Sequence, residues 1–356
     1  MSVRAWVDNR EPTDVLHLDV AGGGRVSRQV LGAEVAHLRA EAALGATVAE
    51  AAADLVPGRA ALAAQVGLGA EDVLFAEGAA RAFACLLDAW PLPPGSRVGT
   101  VPGQFGGHAR VLAACAVQRD WSLVPLEVDQ LGRVVGVPEG LDLLTLPHVA
   151  SQRGVVQPVQ QLLATGVPVL LDVAQSLGQT EVPRGAAAYV GTGKKWLCGP
   201  RGVGFGMVAP AWQPQLAEAV TLREHEAEGM ARYDSAESHV AGRVGLAVAA
   251  RTWSPALLPV AQAAARAARV LLEGAGGWRV VEPVEEPTGI TTLEHASADP
   301  SQVRAALLAE RVLTGVVPVH RAADLARPLL RVSTAAWVTP GDLERVAEAL
   351  DRCTPR

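Results

Sequence analysis

Hydrophobic residues in the first two thirds of the chain form short apolar runs, separated by segments in which apolar residues recur at helical spacing. The runs predict strands at 72–75, 97–101, 121–126, 142–146 and 167–175. The helical spacing predicts helices at 29–53, 58–66 and 80–90. Strands that alternate with helices are typical of a mostly parallel sheet covered on both faces, so we predict an α/β domain here.

This alternation ends near residue 245. The remaining chain predicts helices at 259–273, 301–310 and 340–351, with strands near 279, at 288–295 and at 329–334. Such a mixture indicates a compact α+β unit. The predicted organisation is therefore an amino-terminal arm at 1–16, a large α/β domain at 17–245 and a smaller carboxy-terminal α+β domain at 246–356.

Composition narrows the class of protein. The formal charge of -6 gives no basic surplus, so we expect neither nucleic acid nor a membrane surface as a partner. No apolar run approaches the roughly 18 residues that a spanning helix needs, and the first fourteen residues are polar. The 4 cysteines are far apart without a CxxC pair, which argues against a zinc site or a disulfide framework. We expect a soluble cytoplasmic protein.

Lysine usage singles out one stretch of the chain. Lys194 and Lys195, in TGKKWLCGP, are the only lysines, whereas arginine supplies the positive charge everywhere else. Arginine stays protonated, but a lysine beside another cation can become a free amine that condenses with a carbonyl. The stretch is either a polar turn between strands or a site of amine chemistry.

Two further features fit a site at the end of a sheet. The turn Glu77-Gly78-Ala79-Ala80 joins a predicted strand to a predicted helix, where backbone N–H groups can bind an anion. Asp172 closes the apolar strand VPVLLDVAQ, at the edge where open α/β sheets bind ligands. Taken alone, the turn is equally compatible with an ordinary connection between a strand and a helix, and Asp172 with a helix cap. The glycines at 22–24 let the backbone pass close to another segment, but AGGGR does not match a dinucleotide-binding motif.

The order of these features resembles a known family. LLDVAQSLGQTEV is similar to the pattern D-x-A-Q-S-x-G, and TGKKWLCGPRGVG is similar to S-G-H-K-x-x-x-G-P-x-G. Both patterns belong to the class V aminotransferase and cysteine desulfurase group of fold-type I pyridoxal-phosphate enzymes. The resemblance covers nearly the whole chain, and it implies pyridoxal 5'-phosphate as the cofactor.

The resemblance assigns residues to the cofactor. It implies that Lys195 bonds covalently to the cofactor, and that Lys194 and Thr192 face its phosphate. The amides of Gly78, Ala79 and Ala80 would bind the same phosphate, since this turn lacks the usual threonine hydroxyls.

The resemblance also places residues around the cofactor ring. It implies that Asp172 holds a proton on the pyridine nitrogen, that Ala174 packs on one face, and that Gln175 bonds the ring hydroxyl. Phe105 occupies the position of a ring-stacking histidine, and His108 is a rival for that role.

Other matched positions concern the cofactor edge and the substrate. HVASQRG leaves open whether Ser151 or Gln152 contacts the cofactor. Arg331, in LLRVST, would bind the substrate carboxylate, and the segment around Glu237 implies a homodimer with shared sites. Further candidate contacts for the rest of the substrate are Arg153, Trp196, Glu237 and His239.

The positions of the cysteines help to distinguish a desulfurase from a lyase. A desulfurase needs a nucleophilic cysteine on a loop of the small domain, and 245–336 contains none. Cys198 is expected to be a buried small residue. Within the group, the motifs look most like the carbon–sulfur lyases of ergothioneine biosynthesis, which act on a small sulfur-containing amino acid, hercynylcysteine sulfoxide. A class V aminotransferase, a desulfurase-like lyase on another amino acid and a non-catalytic cofactor-binding protein remain as alternatives.

Overall fold

The computed structural model describes residues 2–218, 228–235 and 237–355. The helices in these ranges are α1 (Val3–Asp8), α2 (Arg28–Leu44), α3 (Ala46–Ala51), α4 (Val56–Ala63), α5 (Ala79–Ala89), α6 (Gly106–Arg119), α7 (Val159–Leu163), α8 (Val240–Thr252), α9 (Leu257–Leu272), α10 (Pro300–Ala309) and α11 (Pro340–Cys353). The strands are β1 (Leu16–His17), β2 (Val73–Ala76), β3 (Arg97–Thr100), β4 (Ser122–Pro125), β5 (Glu127–Val128), β6 (Val134–Gly136), β7 (Leu143–Pro147), β8 (Val169–Asp172), β9 (Ala188–Thr192), β10 (Gly204–Val208), β11 (Arg279–Val280), β12 (Ile290–Glu294), β13 (Val312–Leu313), β14 (Gly315–Val317) and β15 (Leu329–Ser333).

A seven-stranded sheet forms the centre of the large part of the molecule. Its strand order is β2-β10-β9-β8-β7-β3-β4. The neighbours from β9 to β4 run parallel, whereas β10 is antiparallel to both β9 and β2. Its strands contribute to two separate hydrophobic clusters, as expected for a sheet with helices on both faces. The predicted α/β sheet, mostly parallel, is therefore present.

One predicted helix is interrupted. The sequence pattern predicts a single helix at 29–53, but the structure has α2 and α3, which meet at Gly45. Gly45 has φ +87°, a left-handed conformation that glycine adopts without strain and that ends a helix. The apolar periodicity of the sequence continues across Gly45, so it did not reveal that the helix is interrupted there.

A smaller antiparallel sheet organises the carboxy-terminal part. Its order is β11-β12-β15-β14, and α9, α10 and α11 contribute to the hydrophobic cluster around it. The cluster includes Leu16 and Leu18, because β1 pairs in parallel with β13. The chain near residue 17 thus hydrogen-bonds to the carboxy-terminal part, although 17–245 is predicted to be the large domain. The domain boundaries stay a prediction.

The described ranges contain neither a single membrane-spanning helix nor a metal site. No single helix there is long and apolar enough to cross a membrane; α8 and α9 together meet the length and composition test, but they are bent by 87° at their junction. No group of three or more His, Cys, Asp or Glu side chains in those ranges has the geometry of a metal site.

Candidate active site

A cavity of about 400 Å³ lies where the carboxyl ends of β7 and β8 meet the start of α5 and residues of the carboxy-terminal part. Most of the predicted site residues line it. These are Gly78, Ala79, Ala80, Phe105, Ser151, Asp172, Ala174, Gln175, Thr192, Lys194, Lys195 and Arg331. The fold therefore brings together, from distant parts of the sequence, the groups that the motifs selected.

Lys195 follows β9 and is the chemically unusual group of the cavity. Desolvation by burial is the main cause that lowers its pKa, to about 7. The negative charge of Asp172 opposes this shift, while the positive charges of Arg331, Lys194 and Arg321 add to it. A large fraction of the Lys195 amine is therefore unprotonated near neutral pH. Lys194 contributes to the lowered pKa, but burial contributes more than any neighbouring cation.

The glycines at 22–24 pack against the lysine turn. The Gly24 amide donates to the carbonyl oxygen of Lys194 at 2.8 Å. A Cβ atom at Gly24 would lie 2.4 Å from the carbonyl oxygen of Lys195 and 2.6 Å from Sγ of Cys198. Glycine is required at position 24 because no side chain fits there. The segment that approaches these glycines is therefore the lysine turn.

Asp172 ends β8, and its carboxylate is buried. Oδ1 accepts a hydrogen bond from the amide of Ala174 at 2.8 Å, and Oδ2 lies 3.1 Å from Nδ1 of His108. Burial, the largest influence, would raise the pKa of Asp172. The charge and hydrogen bond of His108, with Lys195 and the Ala174 amide, outweigh burial and hold the pKa below its usual value. Asp172 is therefore ionised.

The contact between His108 and Asp172 is one that the sequence did not suggest. The His108 ring is fully buried and stacks on Phe83, with centroids 4.3 Å apart. Phe105 meets the same ring edge-on at 5.4 Å. Since its ring is packed on Phe83 and one nitrogen faces Asp172, His108 is placed to orient that carboxylate. This packing favours Phe105 over His108 for stacking on the cofactor.

The start of α5 forms an anion cradle. Gly78 is its N-cap and supplies no side-chain cap, so among the residues that the structure describes no side chain caps the amides of the first turn. The antiparallel strand β10 approaches closely, since a Cβ at Gly204 would lie 2.6 Å from the carbonyl carbon of Gly78. Thr192 lines the same cavity and donates to the carbonyl oxygen of Val203 at 3.3 Å. The amides at the start of α5 suit a phosphate, and Thr192 could donate to the same phosphate once its single hydroxyl proton turns away from Val203.

Gln175 is held by two hydrogen bonds. Its Oε1 accepts from Nε1 of Trp196 at 2.9 Å, and its Nε2 donates to the carbonyl oxygen of Ala21 at 3.1 Å. One Nε2 proton therefore remains for a ligand in the cavity. Trp196 was a candidate substrate contact, but it is buried outside the cavity lining and orients Gln175 instead.

Besides Trp196, four predicted residues are not part of the cavity lining. Gln152 donates to Asp324 and to the carbonyl oxygen of Gly103, and Arg153 also lies beside Asp324. His239 is the N-cap of α8, where its Nδ1 accepts the amide of Gly242, and Glu237 is exposed nearby. Between Ser151 and Gln152, the geometry therefore favours Ser151 for contact with a ligand.

Arg331 reaches the cavity from β15. Its guanidinium donates to Asp19 Oδ1 at 2.9 Å and to the carbonyl oxygen of Ser151 at 3.0 Å. In the described ranges two of its five N–H groups form these hydrogen bonds, so each terminal nitrogen keeps a second N–H for a ligand, whereas Nε is buried beside Gly315. Asp19, which anchors Arg331, was not predicted. The sequence predicted no function for the charges of three more residues in the lining, which are Glu77, Arg201 and Arg321.

Comparison with known proteins identifies the family. Residues 16–346 match the model of the aminotransferase class-V family, and the chain belongs to this family. A probable hercynylcysteine sulfoxide lyase of Mycobacterium tuberculosis (strain CDC 1551 / Oshkosh) is 38% identical, over 98% of this chain and 93% of the relative.

Solved structures give the same fold. A cysteine desulfurase from Thermococcus onnurineus NA1 superposes with a TM-score of 0.86 at 17% identity, covering 99% of this chain and 98% of the other. A cystine C–S lyase in complex with cysteine persulfide gives a TM-score of 0.85 at 16% identity, covering 96% and 99%. The predicted fold-type I architecture is confirmed, and the protein is a pyridoxal-phosphate-dependent enzyme of class V.

The cavity fits that cofactor. It combines a lysine whose pKa is lowered to about 7, which can bond an aldehyde, with a buried ionised carboxylate and an anion cradle. The cofactor aldehyde would bond Lys195, its ring nitrogen would face Asp172, and its phosphate would bind at the start of α5 with Thr192 and Lys194. These roles stay predictions that rest on the chemistry of the side chains.

Proposed function

We propose that this protein is a carbon–sulfur lyase that cleaves hercynylcysteine sulfoxide in ergothioneine biosynthesis. The products would be pyruvate, ammonia and a sulfenic acid, which a separate two-electron reductant such as a thiol would convert to ergothioneine. The observation that carries this proposal is the 38% identity to the probable hercynylcysteine sulfoxide lyase over 98% of this chain. The reaction class is further supported by an unprotonated lysine and an ionised carboxylate in the same cavity.

Each residue has a task in this proposal. Bound pyridoxal phosphate supplies an electron sink for the substrate carbon next to the amino group. The Lys195 amine would accept the proton from that carbon, since a pKa of about 7 leaves much of it unprotonated near neutral pH. Asp172 stays ionised and stabilises positive charge beside it. Arg331 orients the substrate through its carboxylate.

The cysteines support elimination over direct sulfur transfer to the enzyme. All four cysteines of the chain lie in the described ranges, and none lines the cavity. Cys198 is buried, and burial raises the pKa of its thiol, which disfavours the nucleophilic thiolate. A desulfurase needs a thiolate at the substrate sulfur, so we favour release of the sulfur group as a sulfenate.

The proposal predicts a substrate preference. Purified enzyme is expected to form pyruvate from hercynylcysteine sulfoxide in preference to free cysteine, simple cysteine sulfoxides and common amino acids. Pyruvate and alanine are measured together, since alanine would report desulfurase chemistry. Activity confined to the free amino acids would end the ergothioneine proposal. Amino-group transfer without pyruvate would indicate an aminotransferase.

Arg331→Ala is expected to lower kcat/KM by about 30- to 150-fold, because a charge-assisted contact to the substrate carboxylate is lost. The cofactor should remain bound with nearly unchanged affinity, as measured from its visible absorption during titration. Arg331→Lys serves as the matched control, since it keeps the charge but not the guanidinium fork. Equal losses of cofactor and substrate affinity would contradict the assignment.

A homodimer is part of the proposal. Glu237 and His239 do not line the cavity of their own chain, which leaves them available to a neighbouring subunit. Ala236, which precedes Glu237, lies outside the described residues. In the proposed dimer, Glu237 and His239 approach the partner's cavity, as the family resemblance implies.

A further inference from the structure

The cavity lining contains one half-buried arginine, Arg321, to which neither the cofactor phosphate nor the substrate carboxylate has been assigned. The lining includes five basic side chains, Lys194, Lys195, Arg201, Arg321 and Arg331, and two acidic ones, Glu77 and Asp172. Lys194 is assigned to the phosphate and Arg331 to the carboxylate. Arg201 is exposed, and it is the leading cation that lowers the pKa of Lys194, after burial. Arg201 thus lies on the phosphate side, and Arg321 is left without a task.

Arg321 has the features of a ligand-binding guanidinium. It is half-buried, and within the described ranges its side chain has no hydrogen bond or ion pair; the acidic charge that acts on it, Asp19, is hydrogen-bonded to Arg331 instead. Its guanidinium lies over the ring of Phe105, 5.7 Å from the centroid. A partly desolvated cation without a partner is costly, unless an anion or dipole from a ligand compensates it.

The position of Arg321 is fixed by packing. It ends a 3₁₀ turn, Val319–Arg321, that follows β14. The neighbouring amide of Ala323 donates to the carbonyl oxygen of Pro102 at 3.2 Å, and a Cβ at Gly106 would lie 3.1 Å from the carbonyl oxygen of Arg321. The turn is thus docked against the loop that carries Phe105.

Arg321 and Arg331 line the same cavity, and Arg331 is the main neighbouring charge that acts on Arg321, followed by Asp19. Both arginines act on Lys194 and on Lys195, so Arg321 lies beside the arginine assigned to the substrate carboxylate and within reach of both lysines. Arg331 is anchored by Asp19 and Ser151. Arg321 has no such anchor and is free to follow a second polar group of the substrate.

We propose that Arg321 binds the oxygen on the substrate sulfur and stabilises the sulfenate as it leaves. This inference rests on the proposed function. When the C–S bond breaks, its electron pair stays on sulfur, and the negative charge is shared with the attached oxygen. The Cα proton goes to Lys195, and water protonates the sulfenate, so no oxidant or reductant is consumed. Arg321 therefore selects oxidised sulfur over a thioether.

The first test compares leaving groups. Arg321→Gln is expected to lower kcat/KM by about 10- to 100-fold for hercynylcysteine sulfoxide and S-methylcysteine sulfoxide, because a charge-assisted hydrogen bond is lost. Elimination from β-chloroalanine, which has the same carboxylate but no sulfur oxygen, should be nearly unchanged. Arg321→Lys should recover part of the loss. Arg327→Gln, an exposed arginine on the same segment, is the matched control.

A second test does not depend on turnover. Dissociation constants of cysteate and alanine are measured from the change in cofactor absorption that each causes. Arg321→Gln should weaken cysteate by about 10-fold or more and leave alanine unaffected. Equal weakening of both ligands, or equal kinetic losses on sulfoxide and chloride substrates, would make Arg321 a carboxylate ligand and overturn this inference. If Arg321→Gln weakens cysteate alone but the wild type does not cleave hercynylcysteine sulfoxide, the proposed function fails, and what stands is that Arg321 binds the oxygens of an oxidised sulfur group.

Discussion

Lys195→Ala is expected to abolish covalent attachment of the cofactor and to lower turnover by roughly 10,000-fold. The substitution removes both the amine that bonds the aldehyde and the base that takes the substrate proton. Desolvation lowers the pKa of this amine to about 7, so the wild-type residue is suited to both tasks near neutral pH. Alanine can do neither, while the anion cradle at the start of α5 still holds the phosphate.

Reduction with borohydride followed by intact-mass measurement separates the two lysines. The wild type should gain the mass of the reduced cofactor, and Lys195→Ala should not. Lys194→Ala is the matched control: it should keep the covalent link but bind the cofactor more weakly, since a cation near the phosphate is lost. If Lys194→Ala loses the link and Lys195→Ala retains it, the two lysines have been assigned in the wrong order.

Much of the fold followed from local sequence patterns. The strand that becomes β8 was identified because a buried parallel strand is a continuous apolar run, and VPVLLD is such a run. The orientation of β10 was not predicted, because the same glycine-rich sequence pattern suits either direction. The pairing of β1 with β13 joins segments almost 300 residues apart, and no local periodicity reports a contact of that range.

The site was predictable where residue chemistry was unusual. Lys195 was found because lysine is otherwise absent, and Asp172 because a carboxylate ends an apolar strand. Arg321 could not be found in this way, since it is one of many arginines and only the fold shows that its side chain reaches the cavity without a partner. The sequence suggested His108 only as a ring that stacks on the cofactor. Its contact with Asp172 could not be predicted, because that contact depends on the packing between α6 and β8.

The second large effect is expected at Asp172. Asp172→Asn should lower kcat by about 100- to 1000-fold with the cofactor still bound, the size of effect seen when one preorganised charge is removed from a buried site. Asparagine keeps the shape and can still accept the Ala174 amide at the Oδ1 position. It cannot supply the negative charge that stabilises a proton on the ring nitrogen, so the electron sink weakens.

The same carboxylate also acts on Lys195. Its charge opposes the lowering of the Lys195 pKa, so Asp172→Asn should shift the pKa of the Lys195 amine further downward in the cofactor-free protein. Chemical modification of Lys195 as a function of pH measures this shift. Asp72→Asn is a suitable control, because Asp72 is a buried carboxylate that bonds Gly69 and Gln213 away from the cavity. An unchanged kcat in Asp172→Asn would contradict the role of this carboxylate, and loss of cofactor binding in that variant would instead make Asp172 an anchor.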